Sequence, residues 1–421
     1  MKAPLPMSQR KSGIATKLAS CIIFLALLGN WIFYPNPVDA SSPAKVSFED
    51  VAVFYQFGIQ ATFQARLNST LPVSEVVLLI QSGTQSPINQ SLNLTENNDV
   101  IYQLDLQKNS IRPFGLVDYW FKGRLTDGTT FESDRFSFDY IDNRFEWQST
   151  TDNRFEVFWN SADLALGDTV LQVALDGLRS AVSYLPISPP LPIRIFIYSS
   201  GKDLQDALQL GRLTWIAGHA SADLNLILIS LPPTIEQRLE LERLLPHEIM
   251  HILLYQVTGD QYSNTPTWLS EGLASLAEIY PNPDYSRSLD QAAQDSTLLP
   301  MVGLCDEFPT EASLALQAYA QSASFVRFLS DQFGISKLQT ILQKYADGMD
   351  CESAVSVVYK TDLNKLESRW KQEVLGVNVN ALALRKLSPY FFLAAIILLP
   401  PLIVVGVYRR KKTTIRVDDS E

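Results

Sequence analysis

The chain has 421 residues, 46% of them hydrophobic and 10% aromatic, with 34 basic and 45 acidic side chains for a formal charge of −11. That length predicts a multidomain protein whose parts each bury a core, and the apolar content excludes a disordered chain. The negative balance, with no concentrated basic footprint, excludes a general nucleic-acid binder.

Residues 1–40 carry Lys2, Arg10, Lys11 and Lys17, then an apolar stretch from Leu18 to Tyr34, then Pro-Asn-Pro-Val-Asp-Ala. This order predicts a signal peptide over 1–40, cleaved after Ala40, with an uncleaved anchor as the second reading. Leu18-Ala-Ser-Cys21 imitates a lipoprotein acylation site, but the apolar region follows Cys21 instead of preceding it.

From 41 to 150, short alternating runs such as IQATFQARL, SEVVLLIQS and VDYWFKGRL are separated by turn residues. They predict an N-terminal immunoglobulin-like β-sandwich domain, with a hairpin at Thr126-Asp-Gly-Thr129. No cluster of catalytic residues falls in it, so it reads as a spacer or binding module. Asn68, Asn89 and Asn93 lie in Asn-x-Ser/Thr triplets, relevant only in a host that glycosylates. The pentapeptide Asp-Asn-Arg-Phe-Glu at 142–146 recurs at 152–156 and reads as a hairpin crossing a domain boundary near 150.

Residues 151–376 begin as α/β: strand FEVFWN, a helix over 162–184, strand PIRIFIYSS, a short helix over 202–210 and strand NLILISL. Beyond 233 the pattern is helical, which leaves a cleft between an α/β lobe and a helical one. Cys305 and Cys351 pair as one disulfide or stay as two buried thiols; a bridge over a loop of this size stabilises by roughly 4 kcal/mol on the chain-entropy account.

After a linker at 377–389, residues 390–408 read YFFLAAIILLPPLIVVGVY, followed by Arg409, Arg410, Lys411 and Lys412. Such a run spans ~28 Å as a helix and predicts one C-terminal transmembrane helix, with residues 409–421 as a cytoplasmic tail. Together the two ends predict a single-pass type I protein of the cell membrane, with residues 41–386 extracellular. The signal, Arg385 with Lys386, and the tail carry net charges of +3, +2 and +2, which leaves −18 on the remainder.

The chemistry-bearing motif is His247-Glu248-Ile-Met-His251, which holds two of the three histidines in the chain. On a helix, positions i and i+4 share a face, so both imidazoles reach one zinc ion, while Glu248 is rotated away from that first set of ligands. Nineteen residues intervene before Glu271, in Thr265-Pro-Thr-Trp-Leu-Ser-Glu271-Gly-Leu-Ala. Thr265 and Pro266 start a new helix there, Trp268, Leu269, Leu273 and Leu276 bury one side, and Gly272 allows close packing on the motif helix. Glu271 then supplies a third ligand and leaves the fourth position open.

This arrangement resembles the gluzincin zinc metallopeptidases, specifically the bacterial peptidase-MA-like group, over roughly residues 151–376. The resemblance implies an α+β zincin-like domain that binds one Zn2+ through His247, His251 and Glu271. It also implies Glu248 as general base and acid, and hydrolysis of a peptide or protein substrate. Tyr319 resembles a tyrosine that the family carries beyond the third ligand to stabilise the transition state, with aromatic packing as its other reading. Two departures stand out. Pro246 precedes the first ligand, and the backbone hydrogen bond it loses points back to Glu242. Ser275 stands where thermolysin-like members have an Asp that orients a histidine, so that support must come from elsewhere, with Glu278 as a candidate.

His219 either lines the cleft or is structural, and the NLILISL strand after it is placed to pair with an extended substrate. Charged residues from Glu236 to Arg243 argue against an intramembrane protease. The other readings are a non-catalytic surface binding or adhesion protein with a structural zinc site, and a zinc hydrolase of non-peptide amides.

Overall fold

Alternation of buried and open positions gives the first part of the chain its sheets. β1 (Val46–Gln56) and β2 (Gln60–Ser69) form a hairpin that turns at Gly58, whose φ of 70° favours glycine. β3 (Val73–Ser82), β4 (Ile88–Leu92), β5 (Asp99–Asp105), β6 (Leu116–Leu125), β7 (Thr130–Glu132) and β8 (Phe136–Asp139) follow. All pairings are antiparallel: β1-β2-β5 make one sheet, β4-β3-β6-β7 another, and β8 also pairs with β6. The inner faces meet through aromatic rings: Phe48 of β1 stacks on Phe121 of β6 at 4.6 Å, and Phe63 of β2 meets Tyr119 edge-on at 5.1 Å. The computed structural model describes residues 46–377, except 96, 110, 188, 190, 191 and 209–217, and scattered positions between 387 and 401.

The two Asp-Asn-Arg-Phe-Glu copies take different roles. Asp152 accepts the backbone N–H groups of Arg154 and Phe155 and turns β9 (Gln148–Thr151) into β10 (Phe155–Trp159). Asp142 is fully buried, paired with Arg144 and accepting from the Tyr198 hydroxyl at 2.9 Å.

Beyond β10, α1 (Leu166–Tyr184) crosses over to β11 (Ile193–Tyr198), and α2 (Gly201–Leu208) leads to β12 (Gly218–Ser221) and β13 (Leu226–Ser230). The sheet order is β12-β13-β11-β10-β9; β10, β11 and β13 run parallel, and β12 and β9 are antiparallel edges. Strands β11 and β13 are apolar apart from Arg194 and Ser230 because both faces are covered. Ile193, Ile195, Ile197, Ile227 and Ile229 face the helical core, whereas Phe196, Tyr198, Leu226 and Leu228 join the core of the N-terminal sheets. The remainder is helical: α3 (Gln237–Thr258), α4 (Thr267–Ala277), α5 (Asp284–Asp295), α6 (Ala312–Phe333), α7 (Ile335–Ala346), α8 (Cys351–Tyr359) and α9 (Leu363–Glu373). Cys305 and Cys351 form a disulfide.

The architecture is thus a multi-sheet N-terminal region followed by an α-helical C-terminal region, and the expected membrane helix is corrected. Among the described residues no helix is long and apolar enough to cross a membrane. That finding removes the basis for the C-terminal transmembrane helix at 390–408, the membrane as a partner and the single-pass type I localisation. The expected signal peptide at 1–40, the second half of the expected span and the tail at 409–421 lie outside the described residues.

Candidate metal centre

Helix α3 runs through Pro246 without breaking, and the loss of that residue's N–H is absorbed by the neighbouring chain. The freed carbonyl of Glu242 accepts the N–H of Ile279 at 2.9 Å, and that of Tyr280 at 3.4 Å, just past the end of α4. Pro246 also sits against α1 at Gly177, where a Cβ would lie 2.8 Å from the proline ring. The turn that holds His247 and His251 is left regular, as the position of the lost bond implies.

Helix α4 presents Glu271 to that turn. Its first N–H, of Thr267, donates to the Cys305 carbonyl at 2.9 Å, and Trp268 is fully buried. Gly272 does provide a close approach, but to α6 and not to the motif helix: a Cβ there would meet Val326 at 2.6 Å and the Ser322 carbonyl at 2.7 Å. Successive helical positions are about 100° apart, so the residue beside Glu271 faces a different neighbour.

The three expected ligands converge. The Nε2 of His247 lies 3.2 Å from one Glu271 carboxylate oxygen, and the Nε2 of His251 lies 3.7 Å from the other. One ligand atom from each of His247, His251 and Glu271 falls within 4.8 Å of the others, the geometry of a group able to hold one metal ion. The outward nitrogens are held as well. The Nδ1 of His247 is 3.2 Å from a Glu278 oxygen, and the Nδ1 of His251 is 2.9 Å from the Tyr262 hydroxyl. Such partners fix ring orientation and leave each Nε2 free to ligate. Glu278 itself is buried, and its carboxylate accepts the Asn282 N–H and the Tyr285 hydroxyl. It lies just past the end of α4, where the backbone turns extended, and its longer side chain makes the contact to His247 that Ser275, one turn after Glu271, does not.

Electrostatics test the fit to a cation. Burial alone would depress His247, yet its hydrogen bonds to Glu271 and Glu278 hold it up at about 10. Burial drives His251 down to about 4, against the pull of Glu271. Burial also opposes charge on Glu271, but His251 and His247 outweigh it and keep the carboxyl below its ordinary value. The buried Glu271 carboxylate therefore sits where positive charge is favoured. A nitrogen-nitrogen-oxygen donor set with an open side suits zinc.

Glu248 faces the same cleft from the edge of the sheet. Its carboxylate accepts the Ala220 N–H of β12, and burial pushes its pKa up to about 7, against the pull of His247. Gly218 is needed here, because a Cβ would sit 2.7 Å from the Glu248 oxygen. Tyr319 projects from α6 with its ring 6.2 Å from that of His247, and its hydroxyl bonds to the Glu271 carboxylate. His219 lines the cleft from β12, 3.4 Å from the Ser221 hydroxyl, and burial lowers its pKa. The cleft measures about 590 Å³. The NLILISL strand is not placed to receive a substrate, since β13 is hydrogen-bonded on both sides; among the described residues the edge of this sheet is β12. Tyr262 escaped the sequence reading. It lies in a short 3-10 segment, Gly259–Asn264, where no apolar periodicity marks its direction.

Residues 174–376 match the family model described as the Peptidase MA superfamily. No curated protein matches the chain. Among solved structures, an aminopeptidase N family protein from Idiomarina loihiensis is 9% identical with a TM-score of 0.38, over 77% of this chain and 76% of that one. OgpA from Akkermansia muciniphila is 16% identical with a TM-score of 0.20; the match covers 23% of this chain and spans 28% of the length of OgpA. A carbohydrate-binding module of family 56, described as a beta-1,3-glucan binding domain, is 10% identical with a TM-score of 0.17, over 22% of this chain and 98% of that one.

Proposed function

Residues 174–376 belong to the Peptidase MA superfamily and carry the one-zinc centre of a metallopeptidase, and from that premise we propose that the chain hydrolyses peptide bonds with Glu248 as general base. In this reading His247, His251 and Glu271 hold the metal. Residues 151–376 form the chemical part, and the sheets up to residue 150 pack behind it. Zinc, when bound, supplies a Lewis acid that acidifies water and polarises a carbonyl oxygen.

The remaining work falls to side chains and backbone of this protein. Glu248 takes a proton from the attacking water and returns it to the leaving amine; burial beside β12 raises its proton affinity, which suits both transfers. Tyr319 turns its hydroxyl from Glu271 toward the oxygen that gains charge in the transition state. The outer edge of β12, where Glu248 already takes the Ala220 N–H, offers its remaining backbone groups to an extended peptide and aligns it across the cleft. The observation that carries the reading is that Glu248, the two Nε2 atoms and the Glu271 carboxylate all face one cleft beside β12, the edge strand among the described residues.

The test pairs Glu248→Gln with the unaltered protein, both loaded with zinc and offered a mixed peptide library. Retained zinc with peptide cleavage lost only in the variant is the expected result. No cleavage by the unaltered zinc-loaded protein, or equal cleavage by the variant, would remove the proposal.

A further inference from the structure

We propose that Arg243 and Asn282 form a carboxylate-binding subsite of the same cleft, so that preferred substrates place an acidic side chain or a free C-terminal carboxylate there. The inference rests on the peptidase reading and gives it a substrate class. Arg243 precedes His247 by four residues and His251 by eight, so all three share one face of α3. The axial distance from Arg243 to His247 is about 6 Å. An extended peptide advances ~3.3 Å per residue, so a carboxylate one or two residues from the reacting carbonyl comes within reach.

What singles out Arg243 is that no carboxylate among the described residues pairs with it, its one charge neighbour in the cleft being the Tyr285 phenol. Arg243 is part-buried and lines the cleft, yet it makes no hydrogen bond or ion pair among the described residues. The nearby carboxylates are committed elsewhere: Glu242 to Arg238, Glu278 to His247, Glu271 to the histidine pair and Glu248 to β12. Asn282 lines the same cleft, and its side-chain oxygen accepts the Asp284 N–H at 3.0 Å. That bond fixes which end of the amide is which and leaves the NH2 group with no partner among the described residues. The corner thus offers a guanidinium and an amide NH2 beside a Glu278 carboxylate that His247, Asn282 and Tyr285 already engage. A guanidinium fork and an amide N–H suit an oxygen anion with two acceptor atoms, which is the shape of a carboxylate. Leu244 and Leu316 complete the wall and suit the aliphatic stem of an Asp or Glu side chain.

The experiment measures binding separately from turnover. Zinc-loaded Glu248→Gln is titrated with peptides that carry Asp or Glu, their Asn or Gln counterparts, and free or amidated C-termini. Carboxylate peptides are expected to bind about 10- to 100-fold tighter than the matched amides. The advantage should shrink as salt rises, vanish when Arg243→Gln is added and return in part with Arg243→Lys. Whether the advantage follows the side chain or the C-terminus identifies the source of the anion. Equal binding of acid and amide peptides overturns the subsite, and so does a preference that survives Arg243→Gln. An Arg243-dependent preference in a protein whose unaltered form cleaves none of these peptides supports the subsite and overturns the peptidase reading instead.

Discussion

The N-terminal sheets and the helical region bury polar groups very differently. Between residues 46 and 140, Ser82 is the one polar side chain in the buried set among the described residues, whereas the helical region buries Glu248, Glu278, Gln317, Gln321 and Glu367. Burying such groups costs stability unless each is partnered. Here the partners form a support for the metal centre. Gln317 and Gln321 hold the backbone at Thr297 and Leu299, and Glu367 accepts the Met301 N–H at 3.0 Å. That segment leads to Cys305, whose carbonyl receives the first N–H of α4, the helix that carries Glu271. The sheets follow the rule of apolar inside and polar outside; the helical region departs from it where ligands must be held still.

The largest effect should come from the group that is buried for chemistry and not for support. Glu248→Gln is expected to lower peptide turnover by about 10²- to 10⁴-fold. Zinc content, measured by atomic emission, should not change. A parallel loss of zinc would make Glu248 part of the support and blur the contrast.

The apolar side is probed by Phe196→Ala, which removes a ring shared between the sheets and the core behind β11 and should cost about 3–5 kcal/mol. Urea unfolding should remain one transition, with metal release following it. Two separated transitions would show that the two regions are energetically independent.

A smaller effect belongs to Glu278→Gln, expected to weaken metal binding by about 10- to 100-fold in competition with a chromophoric chelator. Pro246→Ala should act on the same contact indirectly and less strongly. Its restored N–H competes for the Glu242 carbonyl, so Ile279 loses its acceptor and Glu278 its anchor. Helix α3 gains propensity in the same change, so stability should hold or rise while affinity falls. If affinity does not move, the bond from Ile279 to Glu242 is not what places Glu278.

The smallest effect lies at the surface, where Arg112 between β5 and β6 forks onto Asp223 beside β13. The hydrogen bond to Arg112 holds the Asp223 carboxyl below its ordinary value against partial burial. A depressed carboxylate contributes stability that is present above its unfolded pKa of about 3.9 and is lost as pH falls through the folded value. The pair is largely exposed, so its contribution should stay below about 1 kcal/mol. Arg112→Ala should flatten the acid limb of stability by that amount, as read from urea midpoints between about pH 5 and pH 2.

The ligand trio was legible in the sequence because helical spacing is strict: His247 and His251 one turn apart, and Glu271 on a second capped helix. Glu278 was legible as a candidate, just past the end of that helix. Tyr262 was not, since a 3-10 turn between helices carries no repeating pattern. The edge strand was misassigned for a related reason. β12 is four residues of mixed polarity, Gly-His-Ala-Ser, and its apolar neighbour β13 carries the stronger strand signal while lying inside the sheet. The uniform run Ile-Arg-Ile-Phe-Ile-Tyr marked a strand without saying that its two faces belong to two different cores. The terminal apolar run was long enough for a bilayer by composition, but among the described residues no helix is long and apolar enough to cross one.

The double-sided sheet has a consequence for how this protein could be recombined. A chain that kept residues 174–376 and dropped those before them would lose the central strand β10 and leave Phe196, Tyr198, Leu226 and Leu228 facing water. Such a fragment offers a sticky, strand-edged surface for aggregation. The metal-bearing segment is therefore not a portable cassette: a fusion, duplication or shuffling event that preserves it must also carry the sheets that cover its back.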